Sequence, residues 1–441
     1  MRSCGAIMRA GRRSSRRTTS PPSSARFRNR TRTTAMIRST DRILTTHAGA
    51  LPRSSELRQL VLARAEGQPH DGAALAVRLK SEVAEVVRKQ IACGIDSVND
   101  GELGKTNFTN YVRDRIAGIE MRDYRPGVDP APLDITARDL RQFPLYFGAG
   151  KGTLAGAAMR KRLSCCVAPL NYVGHEALRQ ELEGFRAALQ GVKVAEAFLP
   201  ANTPGTVEHW LRNEHYRTEE EFVQAIAEAL RDEYKAIVDA GFLLQIDDPD
   251  LPDGWQMYPD MSVREYRKYA TLRVDAINHA LRGIPREKVR LHVCWGSFHG
   301  PHRNDIPLED IIDIIFRVRA SSYSIEASNP VHEHEWRVFE EVKPPEGTVL
   351  IPGVVGHCCD FIEHPELVAQ RLLRYAKLLG RENVMGGTDC GLGPRVGSPE
   401  IAWAKLEALA QGARLASKRL WIRPAKSSKK RAPAQKKKAK R

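Results

Sequence analysis

The chain has 441 residues, with 69 Lys and Arg against 53 Asp and Glu, and a formal net charge of +16. Such a balance would fit a nucleic-acid binder, but the excess sits at the ends: residues 1–40 hold 11 Arg and no acid, and residues 418–441 hold 12 Lys and Arg and no acid. Without those 23 basic residues the body carries 46 basic and 53 acidic side chains, so it is mildly acidic. No run of 18 apolar, uncharged residues offers a membrane span. No charged, apolar and small-residue succession opens the chain as a secretory signal does. The eight cysteines are irregularly spaced and include the adjacent pairs Cys165-Cys166 and Cys358-Cys359. That is not a disulfide framework, and a reducing cytoplasm is expected.

Residues 1–39 are rich in Arg, Ser and Thr with no apolar period, and are expected to be a disordered basic extension. The stretch superficially resembles a transit peptide; the simpler expectation is that translation starts at Met36 and that the upstream residues are a gene-calling artefact. Residues 418–441 are expected to be a solvated Lys-rich tail, capable of non-specific nucleic-acid contact without a functional role.

Between them, strands and amphipathic helices alternate. Short apolar runs predict strands at Ile43–Thr46, Asp96–Asn99, Val194–Leu199, Leu243–Asp247, Val289–Cys294, Tyr323–Glu326, Val349–Val355 and Val384–Thr388. Helical spacing predicts helices at Val77–Cys93, Glu219–Ala240, Val263–Leu281, Leu308–Ala320, Glu366–Leu379 and Ile401–Ala413. Eight such units predict an α/β fold, a (β/α)8 TIM barrel over residues 40–417. An insertion after the second strand is expected at about residues 105–190, with 163–168 in a hairpin outside the barrel.

In that fold the active site lies where strands end. The strand ends deliver, in order, His47, Asp100-Gly101-Glu102, Asp247-Asp248, His292 and Cys294, Glu326, His357, and Asp389-Cys390. His292 and Cys294 share one strand face, because side chains alternate with period two. Two thiolates, an imidazole and a carboxylate (Cys294, Cys390, His292 and Glu326) make a plausible four-coordinate zinc set. The competing reading is that Cys residues fill the core as small hydrophobes.

The segments TTHAGALPR (45–53), NDGELGKTNF (99–108), LQIDDP (244–249), HVC (292–294), IEASNP (325–330), IPGVVGH (351–357) and GGTDCGLG (386–393) together resemble the catalytic barrel of cobalamin-independent methionine synthase. They fall in the family's order over nearly the whole body. The chain has room for one barrel, like the short members of the family and the epoxyalkane:coenzyme M transferases. The resemblance implies Zn2+ held by His292, Cys294, Glu326 and Cys390, and a substrate amine held by Asp247 and Glu102. It also places His47 at the substrate and implies His357 as a proton carrier. The implied activity is methyl transfer to homocysteine or a related thiol, with a folate, a corrinoid protein or an epoxide as alkyl donor.

Three departures bear on substrate. Ala50 stands where the family has a serine that helps grip the amino-acid carboxylate; Asp248 replaces a glutamate; and the donor-side segment 198–205 lacks the family's tryptophan. A zinc-free lyase of the uroporphyrinogen decarboxylase type, and a nucleic-acid-associated protein acting through its tails, remain the readings from other classes. His332-Glu333-His334-Glu335 lacks the HExxH spacing and is read as supporting or surface residues. Trp210, Trp255, Trp295 and Trp336 are read as packing.

Overall fold

The computed structural model describes residues 37–129, 133–148, 162–393 and 395–421. The readings of the basic extension, its start site and the Lys-rich tail fall almost wholly outside these residues. Where they overlap, packed structure runs past the expected boundaries. Ser39 is fully buried and its Oγ donates to the Val384 carbonyl (2.6 Å), and the last helix, Pro399–Leu420, continues beyond residue 418.

Seven strands form one parallel sheet: β1 (Ser97–Val98), β4 (Glu196–Asn202), β6 (Leu243–Asp247), β7 (Val289–Val293), β8 (Ser322–Ile325), β9 (Val349–Val355) and β10 (Gly387–Thr388), neighbours in that order. β6, β7, β8 and β9 are buried at every position, as strands covered by helices on one side and by packed side chains on the other must be. Helices Glu219–Asp239, Val263–Ala280 and Pro365–Leu379 separate successive strands. Thr218 caps the first of these by accepting from the Glu221 amide, and Ser262 with Glu265 forms a capping box on the second. The helix expected at Leu308–Ala320 is broken into Leu308–Asp310 and Ile312–Ile315. Ile311, Ile312, Ile314 and Ile315 are all buried, and β-branched side chains of this density disfavour a regular helix.

The eighth expected strand, Ile43–Thr46, is present only as a bridge. Thr46 N donates to Gly386 O (2.9 Å), Gly386 N to Leu44 O (2.8 Å), and Ser97 N to Thr45 O (3.0 Å). This segment therefore touches both edges of the seven-stranded sheet. Inside the curl, the fully buried Arg290 donates to Thr46 Oγ1 (3.1 Å), Gln245 Oε1 (3.2 Å), Ser97 Oγ (3.2 Å) and Glu196 Oε2 (3.1 Å). One guanidinium on β7 thus ties together β6, β4, β1 and the bridging segment.

Between β1 and β4 the chain builds much of a second sheet. β2 (Ile116–Asp123) pairs antiparallel with β3 (Arg162–Tyr172), and β5 (Arg212–Asn213) adds in parallel to β3. Cys165 and Cys166 lie on β3 opposite Glu120 and Ile119, both buried. Glu233 anchors this sheet to helix Glu219–Asp239, accepting from Tyr111 (3.2 Å), Arg115 (3.0 Å) and Tyr172 (3.0 Å). Among the described residues, no helix is long and apolar enough to cross a membrane.

Replacing Arg290 by Met would remove four hydrogen bonds and leave the Glu196 carboxylate without its counter-charge. A loss of about 3–5 kcal/mol is expected, the cost of removing one partner from a buried pair. Urea unfolding with circular dichroism checks it; a loss below about 1 kcal/mol, the range of ordinary surface changes, would contradict the cross-tie.

Candidate active site

The parallel register sets Asp247 on β6 opposite His292 on β7, and His292 opposite Ser324 on β8. His292 Nδ1 hydrogen-bonds to Ser324 Oγ (3.2 Å), which turns Nε2 away from it. That Nε2 is buried with no hydrogen-bond partner. Cys294 Sγ and Cys390 Sγ are 3.9 Å apart as free thiols, and Ser297 Oγ donates to Cys390 Sγ (3.3 Å). The ligand atoms of His292, Cys294 and Cys390 all lie within 4.8 Å of one another. An orphaned imidazole nitrogen facing two sulfurs fits a borderline-soft metal ion.

The two thiols have opposite acidities. The hydrogen bond from Cys294, with His292 beside it, lowers the Cys390 pKa well below the usual thiol range against the effect of burial. Its thiolate in turn holds the Cys294 proton on, with burial adding to the effect. The shared hydrogen bond thus favours ionisation of Cys390 over Cys294.

Glu326 falls outside that three-residue span. Its Oε2 accepts from Trp295 N (2.8 Å) and its Oε1 from Asn329 Nδ2 (3.0 Å). It clusters instead with His357 and Asp389, again within 4.8 Å. His357 Nε2 is buried without a partner. Asp389 accepts from the Ala327 and Ser328 amides (2.9 and 3.0 Å), and burial, with Glu326 next to it, pushes its pKa up to about 8.

A cavity of about 1250 Å³ opens above the thiol pair. Its wall includes His292, Cys294, Cys390, Glu102 and Asp247 from the strand ends, and Phe108, Ile119, Met121 and Ile135 from the segment that carries the second sheet. Burial raises the Asp247 pKa to about 8, despite a hydrogen bond from Gln245 Nε2 (2.8 Å). Burial also raises Glu102, against the pull of the Lys105 ammonium 3.4 Å away. Glu102 sits at φ 55, an uncommon backbone conformation for a residue with a side chain.

Three of the expected site residues, His47, Glu326 and His357, do not reach this wall. His47 is buried with Nε2 on Gln90 Oε1 (2.8 Å), and burial lowers its pKa to about 4. His357 also lies outside the lining. Conversely, Trp210 lines the cavity, at the end of helix Pro204–His209, five residues beyond the segment in which a donor-side tryptophan was sought. Asp250 and Asp253 line it too, each with a buried carboxylate oxygen lacking a partner. Trp295 is packing, stacked on His332 at 4.0 Å. Against the effect of burial, the hydrogen bonds that His332 donates to Asp305 and Glu335 push its pKa up to about 10, so it is an ion-paired support.

A curled parallel sheet with a thiol–imidazole cluster at its carboxyl end, flanked by an added sheet, is the architecture of α/β enzymes whose sites lie where strands end. The profile of the family "Cobalamin-independent synthase, Catalytic domain" matches residues 187–415, more than half of the chain, and the chain belongs to that family. It is 26% identical over 374 residues to a methionine synthase of Thermococcus kodakarensis, covering 84% of this chain and 93% of that protein. It is 24% identical over 379 residues to the 5-methyltetrahydropteroyltriglutamate–homocysteine methyltransferase of Vibrio vulnificus, covering 85% of this chain and 42% of that one. Its fold is that of a B12-independent methionine synthase from Shewanella sp. W3-18-1, solved in complex with selenomethionine. The TM-score is 0.64 at 20% identity, over 86% of this chain and 99% of the other.

The split acidity gives a direct expectation. In metal-free protein at pH 7, iodoacetamide should label Cys390 ahead of Cys294, Cys93 and Cys166, whose pKa values are raised. Because the lowered pKa keeps Cys390 ionised below the usual thiol range, labelling should persist as pH falls from 9 toward 6. Peptide mapping by mass spectrometry checks the order; uniform labelling would contradict it.

Proposed function

We propose that the chain is a zinc-dependent thiol S-methyltransferase that makes methionine from homocysteine, with a 5-methyltetrahydropteroyl folate as donor. Its catalytic body is read as a (β/α)8 barrel over residues 40–417, with residues 43–46 as the eighth staff and the second sheet as an insertion. The free thiols, with no disulfide among the described residues, agree with a reducing cytoplasm. One observation carries the reading: the unpartnered His292 Nε2 and the Cys294–Cys390 pair converge in a cavity that also presents Asp247 and Glu102. The names of the Thermococcus kodakarensis and Vibrio vulnificus relatives support the same activity.

His292, Cys294 and Cys390, with Glu326 as fourth side chain, would hold the zinc. When bound, zinc supplies the positive charge that ionises an acceptor thiol at neutral pH. Asp247 and Glu102 receive the acceptor's ammonium, whose charge favours the ionised form of two carboxyls whose pKa values burial raises. Lys105, itself buried, fixes Glu102 in place. The acceptor sulfur forms its bond to the methyl carbon as the carbon–nitrogen bond of the donor breaks, and the released nitrogen takes up a proton. His357 is the proposed source of that proton. Trp210 offers an aromatic face in the cavity wall for a flat donor ring.

The test is product mass from zinc-loaded full-length protein, given L-homocysteine with methylfolate mono- and triglutamates, a methylated corrinoid protein, or a short epoxide. Methionine from the folate arm is expected. Product only from the epoxide arm would replace this reading with an epoxide:thiol transferase, and protein that binds no zinc would return it to a lyase. Asp247→Asn should weaken L-homocysteine roughly 10- to 100-fold, the value of a charge-assisted hydrogen bond, while a simple alkyl thiol is little affected. Equal losses for the two thiols would show that Asp247 does not read the amine.

A further inference from the structure

The cavity wall contains arginines as well as acids, and they are not equivalent. Arg212 is paired with Asp129 (3.0 Å) and Glu214 (3.1 Å). Arg162 donates to the Met121 carbonyl (3.2 Å), and Arg113 to the Asn110 carbonyl (3.3 Å). Arg395 also lines the cavity, half-buried, yet its Nε is buried without a hydrogen-bond partner. Among the described residues no carboxylate pairs with its guanidinium.

The backbone that carries Arg395 is seated firmly on the loop after the first staff. Gly393 N donates to Ala50 O (2.9 Å). A Cβ on Gly391 would come 2.8 Å from Ala50 N, and one on Gly393 would come 2.7 Å from Leu51 O. These two glycines are required by close approach, and they fix residues 391–393 against residues 50 and 51. Ala50, also in the wall, offers only a methyl group. A half-buried guanidinium with an unpartnered Nε, on the wall that holds Cys390 and the Asp247–Glu102 acids, is a receptor for an anionic group.

We propose that Arg395 is a specificity-determining residue of the acceptor site, pairing with the anionic group of the thiol substrate: the α-carboxylate of a thiol amino acid. Together with Asp247 and Glu102 it makes the cavity complementary to a zwitterion whose thiol lies at the His292–Cys294–Cys390 cluster. The identification of the anion as a carboxylate rests on the methyltransferase reading above. A mercaptoalkanesulfonate would present the same anion chemistry.

The experiment is calorimetric binding to zinc-loaded full-length protein, comparing L-homocysteine, 3-aminopropane-1-thiol, which keeps thiol and amine but lacks the carboxylate, and 2-mercaptoethanesulfonate. Arg395→Gln should weaken L-homocysteine roughly 10- to 100-fold and leave 3-aminopropane-1-thiol unchanged. Arg395→Lys, which keeps the charge but not the planar fork, should fall between. The unchanged aminothiol reports that the variant site is intact. Equal weakening of both thiols, or undiminished homocysteine binding by Arg395→Gln, overturns the inference. If the unaltered protein ignores homocysteine and binds the sulfonate through Arg395, the methyltransferase reading falls while the anion site stands. Sulfonate binding indifferent to Arg395 overturns both.

Discussion

A single buried guanidinium holds the geometry on which the site depends. Arg290 lies inside the curled sheet and is shared by groups from β6, β4, β1 and the Leu44–Thr46 segment. Parallel strands in register already aim their carboxyl ends one way. An open twisted sheet, however, would fan those ends apart. The interior cross-tie holds the two edges near each other, so that Glu102, Asp247, His292, Cys294 and Cys390, spread over almost 300 residues of chain, line one cavity. Desolvating an arginine is costly, and four acceptors, one of them charged, offset that cost here.

The electrostatic character of the cavity follows from the same burial. Burial places Asp247 and Asp389 at about 8, and Asp100 and Asp248 at about 7, and raises Glu102 and Asp253. These carboxyls crowd one low-dielectric region where few can ionise at once. Such a site gains by taking up cations: each positive charge it admits lets a neighbouring acid or thiol release its proton. On the function proposed above, metal binding, ammonium binding and thiolate formation would be coupled rather than independent.

Much of this was legible in the chain. Leu243–Asp247 and Val349–Val355 were placed to the residue because strands buried on both faces read as unbroken apolar runs. His292 and Cys294 were paired by the period of two. What could not be read was orientation beyond the strand ends. His47 ends its segment like the others, yet its ring turns to Gln90, a partner contributed by helix Gly72–Cys93. Glu326 ends β8 as expected, but the Trp295 amide and Asn329 draw its carboxylate toward His357 and Asp389. Trp210 was assigned to packing because nothing local shows that the turn after helix Pro204–His209 faces the cavity. Ile43–Thr46 reads as a strand from its β-branched and apolar residues, yet the segment is short and only Thr45 makes a bridge.

The second sheet explains how the chain encloses its site. A thiolate nucleophile and a carboxylate pair act most strongly where water is excluded, and the mouth of a curled sheet by itself is open. Here Phe108, Ile119, Met121, Leu133 and Ile135 from the segment between β1 and β4 lie across that mouth, while Glu233 binds the same segment to helix Glu219–Asp239. These five side chains make their part of the wall apolar, while Asp247, Glu102 and Arg395 are among the charged groups that the cavity presents. Selectivity in such a cavity comes from matching a small number of fixed charges rather than from area of contact. The insertion supplies apolar wall, the strand ends supply the thiol, imidazole and carboxyl groups, and Arg395 adds a cation beside them.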